Sequence, residues 1–537
     1  MNQFSIILAQ VNFTVGDISG NATRIINTCR QIEGELDCQF VAFPELALTG
    51  YPPEDLLLRD DFILEAEREL IRIVDGIGEV TAIVGHPHRC AKDLYNSVSV
   101  LSQGQIIARY HKRHLPNYSV FDEKRYFSSG DRPCVIKLNG VRVGITICED
   151  IWHVGPVEES AAAGAEVLIN INASPFHLDK ASERETRVVV ESARQNSLPI
   201  LYVNMVGGQD ELVFDGGSFV CDDVGKVTHR AHFFNEELLK VSFDERLRLR
   251  HGKVARLPSA EESIYQALVL GLQDYVQKND FPGVVVGLSG GIDSALTLGI
   301  AVDALGSDNV QAIMMPSRYT RAISTEDAIS EAEILGVRHQ IIDIDPLFQL
   351  FLNQLEPIFK GFDADTTEEN IQARVRGTLL MAVSNKTGAM VLTTGNKSEL
   401  AVGYATLYGD MAGGFSVIKD VPKTLVYRLA RYRNRISPVI PIRVLYRAPS
   451  AELALDQEDQ QNLPSYEVLD PILKAYVEED RTVVDIVKAG YDEVIVKNVV
   501  QLVKRSEYKR RQAPPGVRIS KRAFGRDRRY PITSRFL

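Results

Sequence analysis

Residues 284–306, VVVGLSGGIDSALTLGIAVDALG, constrain what this 537-residue chain can fold into more than any other stretch. An apolar run, a glycine turn and an amphipathic stretch follow one another without a break. A buried strand, a tight turn and a helix N-terminus account for that order. The turn then presents unpaired backbone N–H groups at the positive end of a helix dipole. Ser289, Gly290 and Gly291 carry little or no side chain, so phosphate oxygens can reach those amides. The lysine of a GxxxxGK[ST] loop is missing, and no such string occurs in the chain. Asp293 repels bare phosphate but becomes useful if it holds Mg²⁺, which takes carboxylate and phosphate oxygens together. A helix N-cap is the plain alternative for that aspartate.

The surroundings of this loop alternate strand and helix. The pattern predicts strands at 284–288, 310–315, 339–344 and 389–394, and helices at 263–278, 293–305, 325–336 and 369–386. Apolar strands separated by such helices make βαβ units and a doubly wound parallel sheet. The first 245 residues read differently, as short β-rich runs with helical stretches at 21–33, 62–76 and 182–196. The charged, proline-containing stretch 246–262 reads as a linker, with Ser259 or Ser263 as the cap of the following helix. The chain is too long for one ordinary core, which predicts two domains, 1–245 and 263–537.

Composition narrows the class. With 45% hydrophobic and 24% charged residues the chain reads as soluble and globular, and no apolar run approaches the ~20 residues of a membrane span. The opening MNQFSIILAQVNF alternates like a strand and lacks a basic region with a cleavage site, so no secretory signal is expected. Six cysteines (Cys29, Cys38, Cys90, Cys134, Cys148, Cys221) form no CxxC pair, which predicts free thiols in a reducing cytoplasm. A net charge of −11 disfavours non-specific nucleic-acid binding. Against that balance, 504–529 carries eleven Lys/Arg and two acidic residues; it is either a polyanion site or a solvated tail.

GLSGGIDS (287–294) resembles the loop of the N-type ATP pyrophosphatases, which grip pyrophosphate while a substrate oxygen attacks the α-phosphorus of ATP. The resemblance implies ATP contacts at Gly287, Leu288, Ser289, Gly290, Gly291, Ile292, Asp293 and Ser294. It also removes the need for a lysine steering the γ-phosphate. The loop alone leaves the acceptor open.

TEENIQARVRGTLLMAVSN (367–385), VLTTGNKSELAVGYATLYGDMAGGFSVIKDVPKT (391–424) and EYKRRQAPPGVRISKRAFGRDRRYPI (507–532) together resemble the NAD synthetase family, which adenylates the carboxylate of deamido-NAD and lets ammonia displace AMP. That resemblance implies Glu399 as a second Mg²⁺ ligand beside Asp293 and near the dinucleotide. It implies Thr394 as an ATP contact at a strand end, and Asn370 and Lys509 as deamido-NAD contacts. Asp410 and Lys419 fall in a region over the site, and Arg318 near the nucleotide. The basic C-terminal stretch then faces an anionic dinucleotide rather than RNA.

FPELALTGYPPEDLLL (43–58), YHKRHLPNYSVFDEKRYF (110–127) and GITICEDIW (144–152) resemble the carbon–nitrogen hydrolases of the nitrilase superfamily, whose Glu–Lys–Cys site matches Glu45, Lys112 and Cys148. A thiol with an unperturbed pKa of about 8.5 needs a base or a nearby cation at neutral pH. Glu45 would take the Cys148 proton and deliver it to the leaving ammonia. Lys112, helped by the Glu149 backbone N–H, would stabilise the oxyanion. Glu123 is either a supporting glutamate or a surface charge. By the same resemblance Tyr118, Ser174 and Lys180 contact glutamine, and a cation suits its α-carboxylate.

The expected architecture is an α-β-β-α sandwich amidase joined to a doubly wound ATP-pyrophosphatase domain of the adenine nucleotide α-hydrolase type. The expected reaction consumes deamido-NAD, ATP and glutamine, with Mg²⁺ as cofactor. The resemblance also implies a homodimer or larger homo-oligomer, no nucleic-acid or membrane partner, and a passage for ammonia between two sites. Two rivals are an amidotransferase acting on another acceptor, such as a tRNA base, and a nucleotide-sensing protein without turnover. The second should show a broken catalytic set, and Glu45, Lys112, Cys148, Asp293 and Glu399 are all present.

Overall fold

The computed structural model describes residues 4–36, 38–454 and 463–536; the first three residues of the expected N-terminal strand lie outside them. The chain divides into two compact units, Met1–Ser259 and Ala260–Leu537. The stretch 246–262 is bridged to the first unit. Leu249 and Val254 make isolated bridges to Phe243 and Arg230, and the first helix of the second unit begins at Ala260.

In the first unit, strand periodicity creates three layers of core. Along Ser5–Gln10 every residue is buried, but alternate residues face opposite ways. Ile7 and Ala9 pack with helices Ile18–Gln31 and Asp60–Gly76, whereas Ile6 and Leu8 pack with a second sheet. That second sheet buries Val143, Ile145 and Ile147 against the first. Its Leu168, Ile200 and Tyr202 pack outward against Val157, Val189 and Ala193 on helical segments. The result is helix on sheet on sheet on helix. The first sheet runs Glu237–Ser242, Ser5–Gln10, Phe40–Ala42, Thr81–Cys90, Asp93–Ser102, Gln105–His111, and the second Val227–Arg230, Phe219–Cys221, Ile200–Asn204, Val167–Asn172, Val141–Ile147, Cys134–Leu138.

The second unit holds a five-stranded sheet in the order Arg338–Ile341, Val310–Met314, Val284–Gly287, Met390–Thr393, Phe415–Ser416. Every pairing in it is parallel. The chain starts in the middle, winds to one edge, then returns and winds to the other. The reversal falls between Val284–Gly287 and Met390–Thr393, whose carboxyl ends therefore open a crevice. Helices Ala260–Lys278, Ile292–Leu305, Ala322–Ile334 and Thr366–Thr387 correspond to the four expected ones. Helices Asp345–Phe359, Lys423–Ile436 and Glu493–Arg505 were not among the expected elements.

Candidate active sites

Three strand ends converge in the first unit. Glu45 follows Phe40–Ala42, Lys112 follows Gln105–His111, and Cys148 follows Val141–Ile147. Glu45 and Lys112 are fully buried, and Cys148 is 5% exposed. Lys112 Nζ donates to Glu45 Oε1 at 2.7 Å and to Glu123 Oε1 at 2.8 Å. Asn96 Nδ2 donates to the same Glu45 oxygen at 2.7 Å, and the Ala173 N–H reaches Glu45 Oε2 at 3.1 Å. Glu123 is buried and also accepts from Tyr51 Oη at 3.0 Å, so it is no surface charge.

This cluster sets its own protonation. Burial opposes charge on Lys112, but Glu123 and Glu45 hold its pKa well above the ordinary lysine value. Burial pushes Glu123 up to about 7, against the pull of Lys112 and with the help of Glu45. Burial and then Glu45 also push the Cys148 thiol well up, with Lys112 opposing. Burial thus favours the neutral thiol at Cys148. Cys148 itself has φ +44°, a left-handed backbone unusual for a side-chain-bearing residue.

Asp150, fully buried, organises this elbow. Its Oδ1 accepts the N–H groups of Arg113 and His114 at 3.0 and 2.8 Å, and its Oδ2 accepts Tyr110 Oη and the Ile147 N–H at 2.8 and 3.1 Å. One carboxylate thus fixes the Lys112 loop to the Cys148 turn. At the mouth, Tyr118 Oη donates to Glu149 Oε1 and Oε2 at 3.1 Å each, and Lys180 Nζ lies 3.9 Å from the Trp152 ring centroid. Ser174 is buried, its N–H on Asn204 Oδ1 at 3.0 Å.

In the second unit a cavity of about 500 Å³ opens at the strand reversal. Gly287, Leu288, Ser289, Gly291, Ile292, Asp293 and Ser294 line it, as do Thr394, Asn370, Glu399, Asp410 and Lys509. Gly290, Arg318 and Lys419 are not among the lining residues. The Arg318 guanidinium is engaged by Asp345 and Gln349 at 3.1 and 3.2 Å. Asp293 does not cap its helix: the N-cap is Gly291, without a side-chain cap. Its carboxylate accepts instead from Asn396 Nδ2 at 2.9 Å and from Lys423 Nζ, which also donates to Glu399 Oε1 at 3.1 Å. Asn370 Oδ1 accepts from Thr406 Oγ1 at 2.7 Å, and Lys509 Nζ donates to the carbonyls of Gly403 and Ala405 at 2.8 Å each. Burial pushes Asp410 up to about 6.

Among the described residues no group of three or more His, Cys, Asp or Glu is arranged to hold a metal ion. Asp293 and Glu399 form a pair around one ammonium. Two carboxylates suit magnesium, which keeps substrate phosphates and water as its other ligands.

Several polar side chains at these sites escape a reading of the sequence. Asn96, Tyr51 and Asp150 matter through contacts across the fold. Lys423 lies in the quoted run KDVPKT, four residues past Lys419, and nothing in that run distinguishes the two lysines. Arg376 borders the cavity with its Nε on Met315 O at 3.0 Å, and burial pushes its pKa down to about 10. The basic 504–529 stretch is internally paired: Glu507 takes Arg510 and Arg528 at 2.8 and 3.3 Å, and Asp527 takes Arg518 at 2.6 Å.

Comparison with known proteins covers both units of the chain. The carbon-nitrogen hydrolase family model matches residues 6–250, and the NAD synthase family model matches residues 264–513. The chain is 47% identical over 539 residues to the glutamine-dependent NAD(+) synthetase of Acinetobacter baylyi, covering 99% of each. It is 44% identical over 567 residues to that of Aquifex aeolicus, again covering 99% of each. The solved structure of glutamine-dependent NAD+ synthetase from Acinetobacter baumannii, in complex with ADP, matches with a TM-score of 0.82 at 45% identity, covering 99% of this chain and 98% of that one. With full-length likeness of this order and a family model matching each unit, the chain belongs to the family of glutamine-dependent NAD(+) synthetases.

Proposed function

We propose that this chain converts deamido-NAD to NAD, the last step of NAD biosynthesis, with ammonia taken from glutamine and ATP cleaved to AMP and pyrophosphate. The observation that carries the reading is the buried Glu45–Lys112–Glu123 cluster beside Cys148, in a chain that also holds the glycine-loop cavity. Residues 1–245 serve as the glutaminase, 246–262 as the linker and 263–537 as the synthetase.

In the first half-reaction Glu45 takes the proton of the neutral Cys148 thiol as the sulfur attacks the glutamine amide carbon. Lys112, kept charged by its two glutamates, stabilises the oxyanion with the Glu149 N–H. Glu45 returns the proton as the C–N bond breaks and ammonia leaves. Water then hydrolyses the γ-glutamyl thioester and releases glutamate. Tyr118, Ser174 and Lys180 orient the amino-acid end of glutamine.

In the second half-reaction the nicotinate carboxylate attacks the α-phosphorus of ATP. The loop Gly287–Ser294 receives the leaving pyrophosphate, and ammonia then displaces AMP from the acyl carbon. Thr394 contacts the nucleotide; Asn370, Glu399 and Lys509 contact deamido-NAD. Mg²⁺ held by Asp293 and Glu399 supplies charge neutralisation on the phosphates when bound. Lys423 keeps both carboxylates aimed at one point, and Arg376 adds a cation at the cavity wall.

The enzyme works in the cytoplasm, a reading supported by its six free cysteines. It works as a homodimer or larger homo-oligomer, supported by the apolar side chains Leu350, Phe351, Ile358 and Phe362 that the second unit leaves exposed.

Separation of nucleotides after incubation with deamido-NAD, ATP, Mg²⁺ and glutamine tests the reading. NAD and AMP should appear in equal amounts, and Cys148→Ala should work with ammonium alone. No AMP with deamido-NAD under either nitrogen source would overturn the acceptor.

A further inference from the structure

The glycine loop is held from behind by a residue outside it. Gly290 has φ +77°, and a Cβ there would fall 2.0 Å from the Ser324 carbonyl oxygen. The loop is therefore pressed against the start of helix Ala322–Ile334. The Gly290 carbonyl accepts a 2.5 Å hydrogen bond from Arg447 Nη2. Arg447 Nη1 lies 3.3 Å from Asp327 Oδ2 as an ion pair without a hydrogen bond, and Asp327, 1% exposed on that same helix, also accepts from Arg443 Nε. Five residues after Arg447 the chain touches this helix again. Glu452 accepts from Ser324 Oγ at 2.7 Å and from the Arg321 N–H at 3.2 Å. Segment 447–452 thus braces both the loop and the helix it leans on.

A peptide between two glycines has little intrinsic preference for either face. In a planar trans peptide the carbonyl of one residue and the N–H of the next point in opposite directions. Holding the Gly290 carbonyl against Arg447 therefore turns the Gly291 N–H the other way. Gly291 lines the cavity, and its N–H donates to Ser289 Oγ, another lining residue, at 3.2 Å. An arginine suits the task because its fork can serve a carbonyl with one nitrogen and a carboxylate with another, which the single ammonium of lysine cannot do in the same geometry.

We propose that Arg447 is a positioning residue for the ATP-cleaving step: by tying the Gly290 carbonyl to Asp327 it keeps the Gly291 N–H facing the leaving pyrophosphate. The proposal rests on the reading of the loop as the pyrophosphate grip. Arg447 itself borders the cavity, so direct contact with phosphate is the competing role, and the two differ in what Asp327 does. As a brace Asp327 helps; as a competing anion it hinders.

The test uses the full chain with ammonium as nitrogen source. It measures inhibition by inorganic pyrophosphate and by AMP in the native protein, Arg447→Gln, Arg447→Lys and Asp327→Asn. Arg447→Gln should weaken pyrophosphate inhibition by roughly tenfold or more and leave AMP inhibition in place. Asp327→Asn should move in the same direction by a smaller factor, and Arg447→Lys should resemble the glutamine variant. Tighter pyrophosphate binding in Asp327→Asn, or full recovery in Arg447→Lys, would make Arg447 a direct phosphate ligand and overturn the positioning role. Unchanged pyrophosphate inhibition in Arg447→Gln overturns it too. If the native protein is not inhibited by pyrophosphate, the reading of the loop itself fails. Should Arg447→Gln not fold, the lysine and asparagine variants decide alone.

Discussion

Lys423 and Asp293, 130 positions apart in the chain, form an ion pair at the wall of the synthetase cavity, with Glu399 on the other side of the same ammonium. The pair fixes the direction of a carboxylate that has left its helix cap free. It also means that a divalent cation approaching Asp293 and Glu399 enters a place already organised around positive charge.

Removing one of these carboxylates should weaken the metal before it weakens the fold. Asp293→Asn is expected to raise the magnesium concentration for half-maximal AMP formation by at least about tenfold, the equivalent of ~1.4 kcal/mol. A magnesium titration with ammonium as nitrogen source measures this. An unchanged midpoint would remove Asp293 from the metal site.

Lys112 donates to two buried carboxylates, so its loss should cost stability as well as activity. Lys112→Met should abolish glutamine hydrolysis and destabilise the first unit by about 3–5 kcal/mol at pH 8. The sign of the pH dependence follows from the carboxylates. Burial already holds the Glu123 carboxyl up at about 7, and without the ammonium it rises further. The deficit is complete above that raised value and shrinks as pH falls and the carboxyl takes up its proton. Denaturant titrations at pH 8 and pH 5.5 should therefore differ in the variant more than in the native protein.

Glu331 offers a stability prediction away from both reactions. It is 1% exposed, and burial, then Asp327, push its carboxyl from 4.5 up to about 8. Between those two values the folded protein holds a proton that the unfolded chain has released, so this group's contribution to stability falls as pH rises across the window. Glu331→Gln should remove that slope and gain on the order of 4 kcal/mol at pH 8, with little change at pH 4.5. Equal melting shifts at both pH values would contradict it.

Glu123 separates the two chemistries. Glu123→Gln keeps a hydrogen-bond partner for Lys112 and Tyr51 but removes a charge. Glutamine hydrolysis should fall roughly tenfold to a thousandfold, within the range for a positioned acid–base or electrostatic group. Ammonium-driven NAD formation should stay at the native rate, read from the same nucleotide separation.

How far these features can be read from the chain depends on whether they are local. The strand, turn and helix around 284–305 are dictated by neighbouring residues, and they appear within two residues of their expected limits. Helix Asp345–Phe359 went unread because Pro346 and Pro357 interrupt its pattern and its apolar face remains partly in solvent. At the sites, Glu45, Lys112, Cys148 and Asp293 are legible because each sits in a short motif with its own chemical reason. Asn96, Asp150, Lys423 and Arg447 act through partners up to 157 positions away. No periodicity or spacing encodes such a contact until the sheets are assembled.

The left-handed backbone at Cys148 bears on how this enzyme could be rebuilt to run on ammonium alone. Position 148 carries a side chain where glycine would rest more easily, a strain of order 1 kcal/mol or more. Alanine would silence the nucleophile and keep the strain, whereas glycine would silence it and release the strain. The most heat-tolerant ammonium-only version should therefore be Cys148→Gly, and a melting comparison of the two variants would show whether the nucleophile is held in place at a standing cost to the fold.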